Sequence, residues 1–497
     1  MKQADFDGAA MKQADVDVAA TFLENVDHTV YTAEEERALR WRFDRRLVPL
    51  LFFNVTLGAV DKSALSTGAL YTLKTDTGMI TGSRYSWAGS AFYFGYLLWC
   101  FPSGSILQKF PIAKTMMVFQ IMWGIILIAT GFAQSFESLV ALRVLLGALE
   151  APVIPGNFLI MGMWYTRQEQ PLRTGLFYTG MSSFITGPLG YLVGFVQGHW
   201  YNSWRALFWI EGSIAIAYAL IIGVFLPDNP VKAKFINDKE KYIALNRLRV
   251  DQTGIKNQTW KWDQFSEALL DVKTWIMVAL NVFMNVPNGG LGNFTPLIIA
   301  GLGYNARTAS LLFMCVGITS TASCYICNFG VFIVSKRKPG VQVRGVFMLF
   351  GLLVGMISTI FLYTLSVHAI RSRLTALFMA YFYLGPYVVS VGLVAANTAG
   401  YTKKITVNAL IFMAYCVSNI IGPFFFLTDQ SPLYPLGIAA MLLSYGATII
   451  LISIYMAYCW WENRRRDAAV VPNYLPQEAT EFKDLTDRQN PNFRYVW

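Results

Sequence analysis

The sequence predicts an all-α membrane protein of twelve transmembrane helices arranged as two six-helix bundles. Three observations carry that expectation. The 497 residues are 55% hydrophobic and only 14% charged, with mean hydropathy +0.43, where a soluble chain of this length usually carries about a quarter charged residues. Twelve apolar segments approach the ~20 residues that cross a bilayer. Lys and Arg collect in alternate loops, as a fixed topology requires.

The segments run over 47–70, 86–107, 112–133, 138–165, 174–197 and 205–226, then 274–298, 307–335, 345–367, 374–399, 405–427 and 434–460. Residues 1–46 read as a polar cytosolic tail with MKQAD repeated at Met1 and Met11, running into the charged YTAEEERALRWRFDRR. No apolar core with a cleavage site is seen there, so no signal peptide is expected. The connection 227–273 separates six spans (47–226) from six (274–460); it opens with LPDNP and continues as the amphipathic DKEKYIALNRLRV, either a solvated helix tethering two bundles or one lying on anionic lipid. Residues 461–497 form a second cytosolic tail.

With the N-terminus inside, the inner side holds Arg37, Arg40, Arg42, Arg45, Arg46, Lys109, Lys114, Arg167, Arg173, Lys336, Arg337, Lys338, Arg344, Lys403, Lys404 and Arg464 to Arg466, and 227–273 adds nine more cations. The outer loops hold only Lys74, Arg84, Arg205, Arg307, Arg371 and Arg373. Both termini are therefore expected to be cytoplasmic. The net charge of +10 follows from this topology and calls for no nucleic acid.

Span four carries the most informative stretch, RVLLGALEAPVIPGNFLIMGMWYTRQEQPLR. Arg143, Glu150 and Asn157 recur every seven residues, each stepping about 20° round a helix, so all three share one face. Ionisable groups at membrane depth are costly and mark pathways for substrate or ions, and Pro152 and Pro155 interrupt the helix where freed backbone can line a cavity. Arg143 suits a carboxylate substrate, which it can grip bidentately; alternatively it pairs with Glu150 or Glu211 and locks helices together.

Asp61, Glu150 and Glu211 are the carboxylates placed to carry a proton. No Asp or Glu occurs between Asp271 and Asp429. The structural alternatives are Asp61 paired with Lys62 or capping its helix, and Glu211 paired with Arg205. The second half offers neutral groups instead: Asn281, Asn285 and Asn288 at helical spacing before a Gly-rich break, Tyr383 and Tyr387 on one face of span ten with Asn397 beyond, and Asn408, Tyr415 and Asn419 on span eleven. These either glue helices or orient a ligand. Ser183, Ile185, Gly187 and Pro188 in span five match Ser418, Ile420, Gly422 and Pro423 in span eleven, which suggests repeated halves with hinges at the Gly-Pro steps.

Other signals are weak. His28 lies in the tail, and His199 and His368 in outer loops. Cys324 and Cys327 make a CxxC without a second ligand pair, better read as packing than as metal or redox chemistry. The remaining cysteines, Cys100, Cys315, Cys416 and Cys459, also fall within apolar runs. The sequon at Asn54 falls in a span and that at Asn257 in a cytosolic loop; Asn293-Phe-Thr lies near an outer helix end. No GxxxxGK[ST], HExxH or GxSxG motif is present, so no ATP site, enzyme activity, metal or cofactor is expected.

With these residues in view, residues 47–465 resemble the major facilitator superfamily, and more narrowly the fungal allantoate permease family of anion:cation symporters. The resemblance rests on RVLLGALEAPVIPG with WYTRQEQPLRTG, WRALFWIEG, LPDNP, the GYTKK loop with NIIGPFFF, and the terminal TDRQNPNFRYVW. Arg143 and Gly147 fit the superfamily's RxxxG pattern. Two features depart from it: Gln108 stands where an Asp is usual, and Lys62 in AVDKSALS replaces the Arg of a common Asp-Arg pair.

The resemblance implies two bundles rocking about a central cavity in the plasma membrane, with proton symport of a small organic anion such as allantoate, a vitamin, a short peptide or a sulfonate. The expected partners are that solute, protons and lipid, with the chain a monomer. The alternatives are efflux of a metabolite or toxin by the same fold, or a nutrient sensor or membrane-embedded enzyme without net transport.

Overall fold

The computed structural model describes residues 31–166, 169, 173, 175–176, 179–196, 198, 201–231, 233, 235–250, 260–338, 340–468 and 485–497. The MKQAD repeat, His28, Arg167, His199 and Asn257 lie outside the described residues. The helices are α1 Ala33–Gly68, α2 Leu73–Asp76, α3 Arg84–Lys109, α4 Ile112–Thr130, α5 Phe136–Glu150, α6 Val153–Trp164, α7 Ser183–Val193, α8 Ser203–Phe225, α9 Asp238–Val250, α10 Trp262–Leu270, α11 Val272–Gly301, α12 Ala306–Leu312, α13 Met314–Arg337, α14 Arg344–Thr364, α15 Ile370–Ala380, α16 Leu384–Ala396, α17 Tyr401–Ile421 and α18 Pro435–Ala468.

Among the described residues nine helices are long and apolar enough to cross a membrane, and α10 with α11, bent by 62°, makes a tenth. The other two of the twelve segments are α3 and α7. α3 is long enough but carries Ser86, Ser90, Ser103 and Ser105; α7 has 11 residues. Span four is broken where Pro152 removes a backbone donor: α5 ends at Glu150 and α6 begins at Val153. Pro155 falls in the first turn of α6, where its missing N–H costs nothing.

The chain packs as two units. One holds the described residues within Met1–Lys62, Phe94–Tyr178 and Arg205–Ile255, the other those within Ser63–Tyr93, Thr179–Trp204 and Lys256–Trp497. In the first, α1 starts well before the expected Leu47. Glu34, Glu35 and Glu36 sit in its first turn, where acids favour the helix dipole. Leu39, Phe43, Leu47 and Leu51 recur every four residues as one buried face against Ile160, Trp164 and Ile243. The stretch expected as charged tail is therefore helix. α9 docks by the same core and by Arg247, which donates to both oxygens of Glu169 at 2.6 and 2.7 Å. Arg173 grips Asp44 bidentately at 2.6 and 2.7 Å. α3 and α5 approach so closely at Gly95 that a Cβ there would lie 1.8 Å from the Val144 carbonyl oxygen, the small-residue contact by which helices associate in lipid.

In the second unit Tyr85, Ser86 and Ser90 of α3 donate to the carbonyls of Asn293, Pro423 and Ile420. Ser310 of α12 donates to the carbonyl of Gly187 in α7. α7 continues through Pro188, whereas α17 ends at the second Gly-Pro step and a 3-10 turn, Gly422–Phe425, follows. Cys324 and Cys327 are buried on α13. Residues 485–497 are packed against this unit rather than trailing as a polar tail.

Candidate functional site

Two polar clusters lie among apolar helices, one in each unit. The first is built on the break in span four. Glu150 is the last residue of α5 and is 1% exposed; Arg143 on α5 and Asn157 on α6 are buried as well. From α1, Lys62 Nζ reaches Glu150 Oε1 at 2.6 Å and lies over the Tyr96 ring, 5.6 Å from its centroid. The helices meet there because residue 58 is glycine: a Cβ would sit 2.6 Å from Glu150 Oε1.

Asp61, beside Lys62, does not pair with it in the way its position suggested. Its Oδ2 accepts from Trp123 Nε1 at 2.8 Å, and Lys62 turns to Glu150 instead. Glu211 on α8 is 4% exposed, and neither carboxylate oxygen has a hydrogen-bond partner among the described residues. Arg205 donates to the Gly131 carbonyl at 2.8 Å. Arg143 lies close enough to act electrostatically on Asp61, Glu150 and Glu211 alike, and Asp61 on Glu211. The cluster thus gathers three carboxylates and two cations in low dielectric, where an uncompensated charge is expensive. One proton balances it. Beside it Asn54 Nδ2 donates to Asn157 Oδ1 at 3.1 Å, which leaves Asn157 Nδ2 and Asn54 Oδ1 without partners among the described residues.

The second cluster lies on α11, α17 and the 3-10 turn Tyr381–Tyr383. The Tyr383 hydroxyl donates to Asn288 Oδ1 at 2.7 Å, and Asn288 Nδ2 donates to Asn419 Oδ1 at 2.8 Å. Asn419 Nδ2 in turn donates to the Tyr415 carbonyl at 2.7 Å. Tyr387 stacks on Tyr415 with centroids 6.0 Å apart, and Tyr93 meets Tyr415 edge-on. Asn281 and Asn285 are fully buried, and their amides donate to the Met277 and Asn281 carbonyls of their own helix. Asn288, Asn419, Tyr383 and Tyr387 are therefore brought together, and Asn281 and Asn285 stand apart from their hydrogen-bond chain. A cavity of about 470 Å³ between Tyr71, Asn202, Asn305 and Arg307 is lined by none of these residues.

Trp123, Gly58 and Asn54 were not singled out by sequence as partners of the first cluster, and Lys62 was named as a partner for Asp61, not for Glu150. The only signal was their position in span one or span three, at no fixed spacing from Glu150. Among the described residues no group of three or more His, Cys, Asp or Glu side chains is placed to hold a metal ion.

Residues 51–423 match the family described as Major Facilitator Superfamily. The chain is 34% identical to the MFS-type transporter cnsL of Penicillium expansum, over 98% of this chain and 94% of that one. It is 32% identical to the allantoate permease of Saccharomyces cerevisiae, over 97% of this chain and 90% of that one. A bacterial homolog of the human lysosomal transporter Spinster, solved inward-facing and unoccupied, shares the fold with TM-score 0.59 at 17% identity, over 83% of this chain and 95% of that one.

Proposed function

This chain belongs to the Major Facilitator Superfamily, and from that premise we propose that it is a proton-coupled symporter taking up a small organic anion. That it is a membrane transporter of small molecules, and not an enzyme, follows from the family; the coupling and the substrate class are our reading. One observation carries it: the buried Asp61, Arg143, Glu150 and Glu211, with the quarter-exposed Lys62 paired to Glu150, hold one more carboxylate than cation. A group of this kind prefers to hold one proton when no anion is bound. When an anionic solute pairs with Arg143, the balanced cluster gains one negative charge, and binding a second proton with it restores the balance. Proton and anion then favour each other's binding, which is the reciprocal linkage a symporter needs.

Asn157 and Asn54 supply a free donor and acceptor beside the charges, and Asn288, Asn419, Tyr383 and Tyr387 are proposed as the substrate-binding residues of the second unit. Gly187, Pro188, Gly422 and Pro423 are proposed as hinges, since each pair takes a backbone contact from another helix. We place the protein in the plasma membrane as a monomer, both termini cytoplasmic, with alternating access between a six-helix bundle at 47–226 and another at 274–460. Allantoate is the first substrate to test, because the permease at 32% identity carries that name.

The test is uptake of labelled allantoate, and of a panel of other small organic anions, into proteoliposomes. Accumulation under an acidic outside, abolished by a protonophore and by Glu150→Gln, is expected. Uptake indifferent to the gradient removes the symport reading, and gradient-driven extrusion of a panel compound favours efflux.

A further inference from the structure

The terminal TDRQNPNFRYVW has no part in the mechanism above, yet it makes a dense set of contacts. Asp487 is fully buried, and its carboxylate takes Lys273 Nζ at 2.6 Å, Lys403 Nζ at 2.8 Å and the Tyr495 hydroxyl at 2.7 Å. Lys403 also holds Asp271 at 2.9 Å and Glu267 at 2.9 Å. Lys273, Lys403, Asp271 and Asp487 are each no more than 4% exposed, so two buried cations face two buried carboxylates. One of those carboxylates comes from the tail. Without it, the two ammonium groups would share Asp271 and the partly buried Glu267.

The tail backbone is also read directly. The Asn397 amide donates to the Val496 carbonyl at 2.7 Å and accepts from the Val496 N–H at 2.8 Å. The Asn463 amide does the same for Tyr495, at 2.8 and 3.0 Å. Arg466 donates to the carbonyls of Asp487 and Phe493, both at 3.0 Å. Two side-chain amides, each making a donor–acceptor pair with one residue of an irregular segment, recognise a peptide in a set register. A charged pocket for one acidic side chain adds specificity. The contacts come from the start of α11, the Asn397–Lys403 turn and the end of α18, elements far apart in sequence.

We infer that this end of the second unit is a peptide-binding site, and that its occupant is an exchangeable ligand built into the chain: its own residues 485–497, with Asp487 as the anchor. While seated, the peptide ties the ends of α11, α17 and α18 together; when it leaves, those ends loosen.

The test uses the full chain with a site-specific protease sequence inserted within 469–484 and cut after purification, so that folding precedes severing. The probe is a fluorescein-labelled synthetic peptide, LTDRQNPNFRYVW. Exchange of the labelled peptide into the severed protein is expected, saturable and at least tenfold weaker for the peptide carrying Asp487→Asn. Hydrogen exchange of 271–277 and 397–404 should rise at least tenfold when the peptide is washed out and fall again when it is restored. A severed tail that cannot be exchanged, binding indifferent to Asp487→Asn, unchanged protection after washing, or irreversible unfolding on washing would each overturn the inference.

Discussion

Lys62 Nζ lies 2.6 Å from Glu150 Oε1, an ion pair between α1 and the end of α5 in which Glu150 is almost wholly buried and Lys62 about one-quarter exposed. The asymmetry sets the outcome of breaking it. Lys62→Ala strands a buried carboxylate whose remaining nearby cation is Arg143, and the loss is about 3 kcal/mol. Glu150→Gln leaves an ammonium that can reach water and costs less. Thermal unfolding in detergent should rank the melting temperatures wild type, Glu150→Gln, Lys62→Ala, in falling order. The reverse order of the two variants would mean that the pair is not what stabilises Glu150.

Trp123 is fully buried, and its indole N–H donates to Asp61 Oδ2, while Asp61 Oδ1 has no partner among the described residues. Trp123→Phe therefore leaves both oxygens of a buried carboxyl without a donor, at about 1–3 kcal/mol, besides the cavity left by the smaller ring. Adding Asp61→Asn to Trp123→Phe should recover part of that loss. Melting temperatures of the two single variants and the double variant form the cycle that checks it; strict additivity would deny the contact.

Asp487 gives a pH dependence with a definite sign. Burial pushes its carboxyl up, but the charges and hydrogen bonds of Lys273 and Lys403 outweigh burial and hold it at about 2. Tyr495, Asp271, Glu267, Arg466 and Arg488 complete its surroundings. An unfolded Asp returns to about 4. The stabilisation is complete above about pH 4 and is lost as pH falls toward 2, amounting to roughly 2 kcal/mol. Wild type and Asp487→Asn should therefore differ in stability at pH 6 and converge near pH 2, measured by denaturant unfolding of the purified protein. A constant difference across that range would contradict the assignment.

Periodicity and charge carried the fold in the sequence. The seven-residue step from Arg143 to Glu150 to Asn157 shows as three residues buried on one span, and the Pro152 break shows as the end of α5. Partners were another matter. Lys62 and Glu150 are 88 positions apart, and nothing local tells a lysine beside an aspartate that it will turn to a glutamate on another helix. Leu39 and Phe43 did announce the early start of α1, but the charges around them in ALRWRFDRR masked a four-residue spacing. The terminal segment was illegible for the same reason as Lys62: it has no apolar period, and its hold is a buried aspartate between two distant lysines.

Glu211 offers the sharpest test of proton coupling, since neither of its oxygens has a hydrogen-bond partner among the described residues and Gln conserves its volume. Proton entry and labelled anion entry should be followed together in proteoliposomes, with a pH-sensitive dye inside. We predict that wild type moves protons in fixed proportion to anion, and that Glu211→Gln, as stable as wild type, moves anion down its own gradient with no proton. Unaltered proton entry in Glu211→Gln, with Glu150→Gln and Asp61→Asn equally unaffected, would contradict the claim that this cluster carries the proton.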